Sequence, residues 1–230
     1  MNKAMEATVE RWLKGLNYRG RPNEHDGKRL LAEIGIAVPE GILLETSASA
    51  DYARQLCDPG ETGHFAIKVC SPDVLHKTER NGVVLGIEAE ELTTAVTDLR
   101  SRFPGEPVLV ERMIPFQGPE MILGALYDPT FGVAVMAGAG GIFTELYRDV
   151  VFRLAPCSRA EAKRMLSDLA VYPALTGFRS IELDVDSLSG VIEKVAELAC
   201  LLIRKGRQLD INPLVWDGSG WVALDAKIVL

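Results

Sequence analysis

The chain has 230 residues, of which 47% are hydrophobic and 25% charged, and a net charge of −7. A chain of that size holds one large domain or two small ones and buries a real core. Its acidic balance argues against nucleic acid as a partner, which is usually met by a basic surface. Residues 1–15 lack the apolar run of a signal peptide, and the most apolar stretch, 132–142, is short and glycine-rich, so no membrane contact is expected. Cys57, Cys70, Cys157 and Cys200 form no CxxC pair and have no histidine at metal-ligand spacing, which reads as reduced thiols in a cytoplasmic protein.

In chain order, residues 4–16 read as a helix and 17–24 as a linker. A second helix over 24–34 turns Leu30, Leu31 and Ile34 to one side and stops at Gly35. Residues 36–44 lead into a strand. A helix over 48–56 is capped by Ser47 or Ser49. Two β-branched runs, Ile67/Val69 and Val83/Val84, are strands. Residues 88–103 form an amphipathic helix with Leu92, Val96 and Leu99 inward. Strands follow at 107–114, 120–127, 132–136 and 150–154, with a turn at Asp128-Pro129. A helix over 158–169 opens with Ser158 and Glu161 as a capping box. A long helix over 188–205 precedes a hairpin of 209–216 and 221–228. The pattern is α+β with antiparallel hairpins, in place of steady βαβ alternation.

The loop between the strands ending at Val69 and starting at Val83 is chemically dense: Ser71, Asp73, His76, Lys77, Glu79 and Arg80. Lys68 points away from the face of Ile67 and Val69, and an ammonium inside an apolar strand needs a partner, either a phosphate or a carboxylate. With Asp217–Gly220 as the hairpin loop, Asn212 faces Asp225 and Asp210 faces Lys227, all on one side. An amide oxygen opposite a carboxylate suits Mg²⁺; a polar outer face explains the same spacing. Gly138-Ala-Gly140-Gly141 fails the dinucleotide fingerprint, yet such a loop brings N–H groups near phosphate oxygens. Arg153 and Arg179 each suit a structural pair or a phosphate. Residues 107–114, by themselves, read as an edge strand leaving the core.

Taken together, Leu30-Leu-Ala-Glu-Ile-Gly-Ile-Ala-Val-Pro39, Lys68-Val-Cys-Ser-Pro-Asp-Val-Leu-His-Lys77, Asp128-Pro-Thr-Phe-Gly132, Gly140-Gly-Ile-Phe143, Phe152-Arg-Leu-Ala-Pro156 and Leu209-Asp-Ile-Asn-Pro-Leu214 resemble the ATP-grasp β subunit of NDP-forming acyl-CoA synthetases and, more distantly, of succinyl-CoA synthetase. The resemblance implies an ATP-grasp fold of two α+β lobes with the nucleotide between them. The division expected is an N-terminal helix and linker over 1–23, a small lobe over 24–110 and a large lobe over 111–230. By position, Lys68 resembles the phosphate-binding lysine, Glu111, Arg112 and Met113 the adenine hinge, and Glu120 a contact to ribose or phosphates. Gly140 and Gly141 fall in the phosphate loop, Asn212 and Asp225 match Mg²⁺ ligands, and Asp210 matches a carboxylate beside the phosphohistidine. His76 matches a histidine transiently phosphorylated on this subunit, and its neutral form is plentiful near pH 7. Replacing Lys68 is expected to weaken ATP binding and to leave the fold intact.

The activity implied is that of an ADP-forming acid–thiol ligase: acyl-CoA, ADP and phosphate give acid, CoA and ATP through phosphohistidine. The partner implied is a CoA-binding α subunit carrying the active-site histidine, in a heterotetramer. Three departures from the family pattern are Glu79-Arg80-Asn81 in the loop, Gln208 before Leu209-Asp-Ile-Asn-Pro, and Arg179-Ser180. They keep two alternatives in view: another ATP-grasp ligase with an acyl-phosphate intermediate, or a nucleotide-sensing subunit without turnover.

Overall fold

The computed structural model describes residues 2–16, 21–57, 63–74, 77–141, 149–178 and 182–230. Its elements begin with α1 (Lys3–Gly15), α2 (Glu24–Glu33), β1 (Gly41–Leu44), β2 (His64–Val69), β3 (Val83–Glu88), α3 (Leu92–Arg102) and β4 (Val108–Arg112). They continue with β5 (Gln117–Asp128), β6 (Gly132–Ala139), β7 (Val150–Leu154), α4 (Arg159–Ser167), α5 (Tyr172–Leu175), α6 (Val185–Leu202), β8 (Gln208–Trp216), β9 (Trp221–Ala223) and β10 (Ala226–Val229). Two compact units result: a smaller one of Asn23–His25 and Pro39–Pro115, and a larger one of Met1–Pro22, Asp26–Val38 and Phe116–Leu230.

The smaller unit is a four-stranded antiparallel sheet in the order β1-β4-β2-β3. Phe65, Ile67 and Val69 alternate along β2 and join Val108, Val110 and Leu44 against Leu92, Val96 and Leu99 of α3. The other face holds Ala66 and Lys68 of β2 beside Glu111 and Leu109 of β4, their register partners, and all four are buried. The segment expected as a helix over 48–56 is a 3₁₀ helix, Ala50–Leu56, capped by Ser49. Its buried residues are Ala53 and Leu56, an i, i+3 pair that a three-residue turn stacks on one side.

The larger unit is a six-stranded sheet in the order β10-β8-β5-β6-β7, with β9 also paired to β8. One face, with Met121, Leu123, Val135, Ala137, Leu209 and Ile211, packs on α6 through Leu188, Ile192, Val195 and Ala199. Its opposite face carries Gly124 and Leu126, Met136 and Ala134, Phe152 and Leu154, and Asp210 and Gln208 in paired rows. The capping box is present: Ser158 and Glu161 satisfy each other's backbone N–H groups at the start of α4. No helix among the described residues is long and apolar enough to cross a membrane.

Helix α2 departs from the expected division at residue 24. Leu30, Leu31 and Ile36 are buried in the core of the larger unit, so everything in this helix after His25 groups with that unit. Its end is a Schellman closure: Gly35, at φ 79°, donates to Ala32 O, and Ile36 donates to Leu31 O. The strand expected over 36–44 starts only at Gly41, and before it Ala37 makes a single bridge to Val222.

Asp149 ties β7 to the segment after α4, its carboxylate accepting from Ala170 N and Val171 N at 2.8 Å each. Asp149→Ala is expected to lower the unfolding free energy by about 1–3 kcal/mol, since both donors lose their acceptor. Urea denaturation reads this directly, and parental stability would show that solvent serves these groups equally well.

Candidate functional site

In the smaller unit the strand lysine is paired by carboxylates. Lys68 Nζ lies 2.8 Å from Glu24 Oε1 and 2.8 Å from Glu111 Oε2. Lys77 Nζ pairs with the other oxygen of the same Glu24 carboxylate. The Lys68, Glu24 and Glu111 side chains are 9%, 6% and 3% exposed, so the charges are almost out of water. Glu111 is held by a close approach: a Cβ on Gly41 would stand 2.7 Å from Glu111 Cγ. Cys70, next to this cluster, has its thiol pushed up to about 12, first by burial and then by Glu24, which leaves it an inert thiol. Lys77 belongs to the dense loop noted in the sequence, whereas Glu24 was not singled out, although an acidic residue opening a helix was visible.

The stretch from Glu111 to Met113 is already engaged. Arg112 N donates to Glu40 O and Met113 N to His64 O. The Arg112 guanidinium bonds Glu40 at 2.9 Å and lies over the Phe65 ring at 5.8 Å. The Glu111 carboxylate is committed to Lys68.

In the larger unit the hairpin has the expected register. Asp210 pairs with Lys227 and Ile211 with Ala226, and beyond the interruption Leu214 pairs with Ala223 and Trp216 with Trp221. Pro213 has no N–H to give the ladder, and the register against β5 shifts by one residue there, between Met121 and Leu123. This bulge leaves Asn212 exposed and Asp225 half-buried at facing positions of the hairpin, with Leu224 N bonded to Pro213 O at 2.9 Å. An amide and a carboxylate so placed fit a hard cation that takes its remaining oxygens from phosphates. No cluster of three or more His, Cys, Asp or Glu suited to a metal occurs among the described residues. Asp210 is one step further along the face. Burial, and then Asp225, push its carboxyl above the usual range, with Lys227 opposing.

Gly140 N bonds Glu120 O at 2.7 Å, and a Cβ on Gly140 would meet the Met121 backbone at 3.0 Å. Gly141, at φ 63°, lies under the Glu120 carboxylate. These two glycines are therefore required by packing whatever else they hold. Arg153 pairs with Asp168, the structural one of its two alternatives. Further along the open sheet face, Leu126, Phe131, Ala134, Phe152 and Leu154 line an apolar groove of about 410 Å³, which the sequence did not announce. His76 and Arg179-Ser180 lie outside the described residues.

Two outcomes follow from these charges. Lys68→Met is expected to cost stability, contrary to the expectation from sequence, because it strips a buried partner from two carboxylates; removing one member of such a pair costs about 3–5 kcal/mol. Chemical denaturation measures it, and an unchanged midpoint would mean the cluster is solvated. Asp210 carries a raised pKa, so its folded form holds a proton more readily than its unfolded form, and stability is lost as pH rises through the carboxylate range. Asp210→Asn should therefore melt higher than the parent at pH 7, with the difference closing below the ordinary carboxylate pKa. Equal melting at pH 7 would contradict this.

A family model of the ATP-grasp domain matches residues 17–230. The β subunit of acetate–CoA ligase [ADP-forming] I from Pyrococcus furiosus is 34% identical over 217 residues, covering 90% of each chain. A structure of the dinucleotide-forming acetyl-coenzyme A synthetase 1 of Candidatus Korarchaeum cryptofilum, with coenzyme A and Ca-AMPCP, superposes with a TM-score of 0.81 at 30% identity, over 97% of this chain and 99% of that one. A second structure of that enzyme holds coenzyme A and Mg-AMPPCP, its phosphohistidine segment pointing towards the nucleotide-binding site; it gives a TM-score of 0.77 at 30% identity, over 98% and 99% of the two chains. The chain belongs to the ATP-grasp family, in the group that contains the β subunits of ADP-forming acetate–CoA ligases.

Proposed function

We propose that this chain is the phosphoryl-transfer subunit of an NDP-forming acyl-CoA synthetase, an acid–thiol ligase that converts acyl-CoA, ADP and phosphate to acid, CoA and ATP. The observation that carries the reading is the match to a β subunit over 90% of both chains. The matched relative is a β subunit, and in this reading an α subunit binds CoA and presents the phosphohistidine. Their assembly is a cytoplasmic heterotetramer in this reading.

In this reading Lys68 and Lys77 offer ammonium donors to the nucleotide phosphates, the 111–113 stretch serves the base, and Glu120 serves the ribose or phosphates. Gly140 and Gly141 let the backbone come close to a phosphate. Asn212 and Asp225 would hold Mg²⁺, which would supply charge neutralisation on the phosphate oxygens. Asp210, in this reading beside the phosphohistidine, keeps a proton on the other ring nitrogen as the phosphoryl group leaves for ADP, so that a neutral imidazole is left, a task its raised pKa suits. His76 serves as a relay on this subunit, a role that rests on sequence alone.

The test is the complex purified with its α subunit and supplied with acyl-CoA, phosphate and labelled ADP. ATP is expected, with acid-labile phosphate on histidine. Asp225→Ala should lower the rate by about a hundredfold and leave metal-free ADP binding nearly intact. A complex that binds ADP yet exchanges no label between ADP and ATP is a nucleotide-sensing assembly instead.

A further inference from the structure

In the smaller unit one carboxylate spans two ammoniums. Glu24 Oε1 accepts from Lys68 at 2.8 Å, and Glu24 Oε2 from Lys77. Glu111 holds the other side of Lys68. A phosphate arriving at these lysines meets them already paired. It must compete with an anion already on them, and buried charges are hardly screened by salt.

The two carboxylates differ in how easily they yield. Glu111 lies within strand β4, is 2% exposed, and has its stem packed against Gly41. Glu24 is the first residue of α2, so its side chain leaves from a helix end with three rotatable bonds. It bridges through separate oxygens, as neighbouring oxygens of a phosphoryl group would.

We propose that Glu24 is a competing carboxylate that limits nucleotide affinity: phosphates bind by exchanging for it on Lys68 and Lys77, and it retakes the lysines as nucleotide leaves. The inference rests on the reading that Lys68 binds phosphate. Its value to a reversible enzyme lies in release. Both ADP and ATP must leave the same lysines, and an internal anion that rejoins them shortens the life of the bound state. The residue is thus a determinant of affinity and turnover, acting through the lysines and not on the reacting atoms.

The experiment is calorimetric titration of ADP into the wild-type chain and into Glu24→Gln, which keeps the shape and removes the charge. Glu24→Gln is expected to bind ADP about tenfold more tightly, the worth of one charge-assisted contact restored to the ligand. The double variant Glu24→Gln/Lys77→Met is expected to return near wild-type affinity, because the cation freed by the first change is deleted by the second. In the complete complex, Glu24→Gln should lower both KM for ADP and kcat, a split that a purely structural role would not give. Thermal unfolding checks that the variant is folded. If it is not, Glu24→Asp, which keeps the charge and draws it back by one methylene, should still tighten ADP by a smaller factor. Wild-type binding of ADP together with equal or weaker binding by these variants overturns the inference and leaves the functional reading standing. No binding of ADP by the wild-type chain overturns that reading, and this inference with it.

Discussion

A charge taken out of water has to be compensated, and in the smaller unit that requirement organises one whole face of a sheet. Strand β2 alternates: its odd residues build the core with α3, and its even residues Ala66 and Lys68 are also buried. An ammonium there is tolerable only because β4 sets Glu111, and the start of α2 sets Glu24, each 2.8 Å from it. Gly41 on β1 is shaped by the same need, since any side chain would collide with Glu111. Residues from two neighbouring strands and a helix end thus answer to one buried cation.

The larger unit handles polar groups differently. Its sheet has one face committed to α6, and the other presents Asp210 half-buried with Asn212 and Asp225 at its side. Pro213 breaks the ladder on β8, and the interruption between β9 and β10 matches it, so the hairpin keeps its register on both sides while two consecutive pairs escape it. A regular hairpin would fix these side chains by alternation alone. The bulge gives them a separate orientation on a rigid frame, as bulges next to functional sites commonly do.

Much of this could be read from the chain. Hairpin register followed from the Asp217–Gly220 loop, whose Asp217 Oδ1 accepts from Ser219 N and Gly220 N and so closes the turn as its composition suggested. The stop of α2 at Gly35 and the cap at Ser158 were equally legible, because each depends on local geometry. What was not legible is tertiary. Glu24 and Lys68 are 44 residues apart, and no periodicity links them. Membership of α2 in the larger unit depended on where Leu30 and Leu31 found apolar neighbours. The bulge at Pro213 was signalled by the proline, but its direction came from β5. Lys68 had two candidate partners on sequence grounds, a phosphate or a carboxylate, and the fold supplies the carboxylates.

The hairpin tip has an optical consequence. Trp216 and Trp221 face each other edge to face with ring centroids 5.7 Å apart, and Trp221 Nε1 bonds Asp184 O at the start of α6. The third tryptophan, Trp12, is buried in the same unit, with Nε1 bonded to Asp26 O. The chain has three tryptophans, and the smaller unit contains none of them. Intrinsic indole emission from this protein is therefore a spectroscopic record of the larger unit by itself. A melting curve followed by fluorescence and one followed by circular dichroism would sample different parts of the molecule, and their disagreement would measure how far the two units unfold independently.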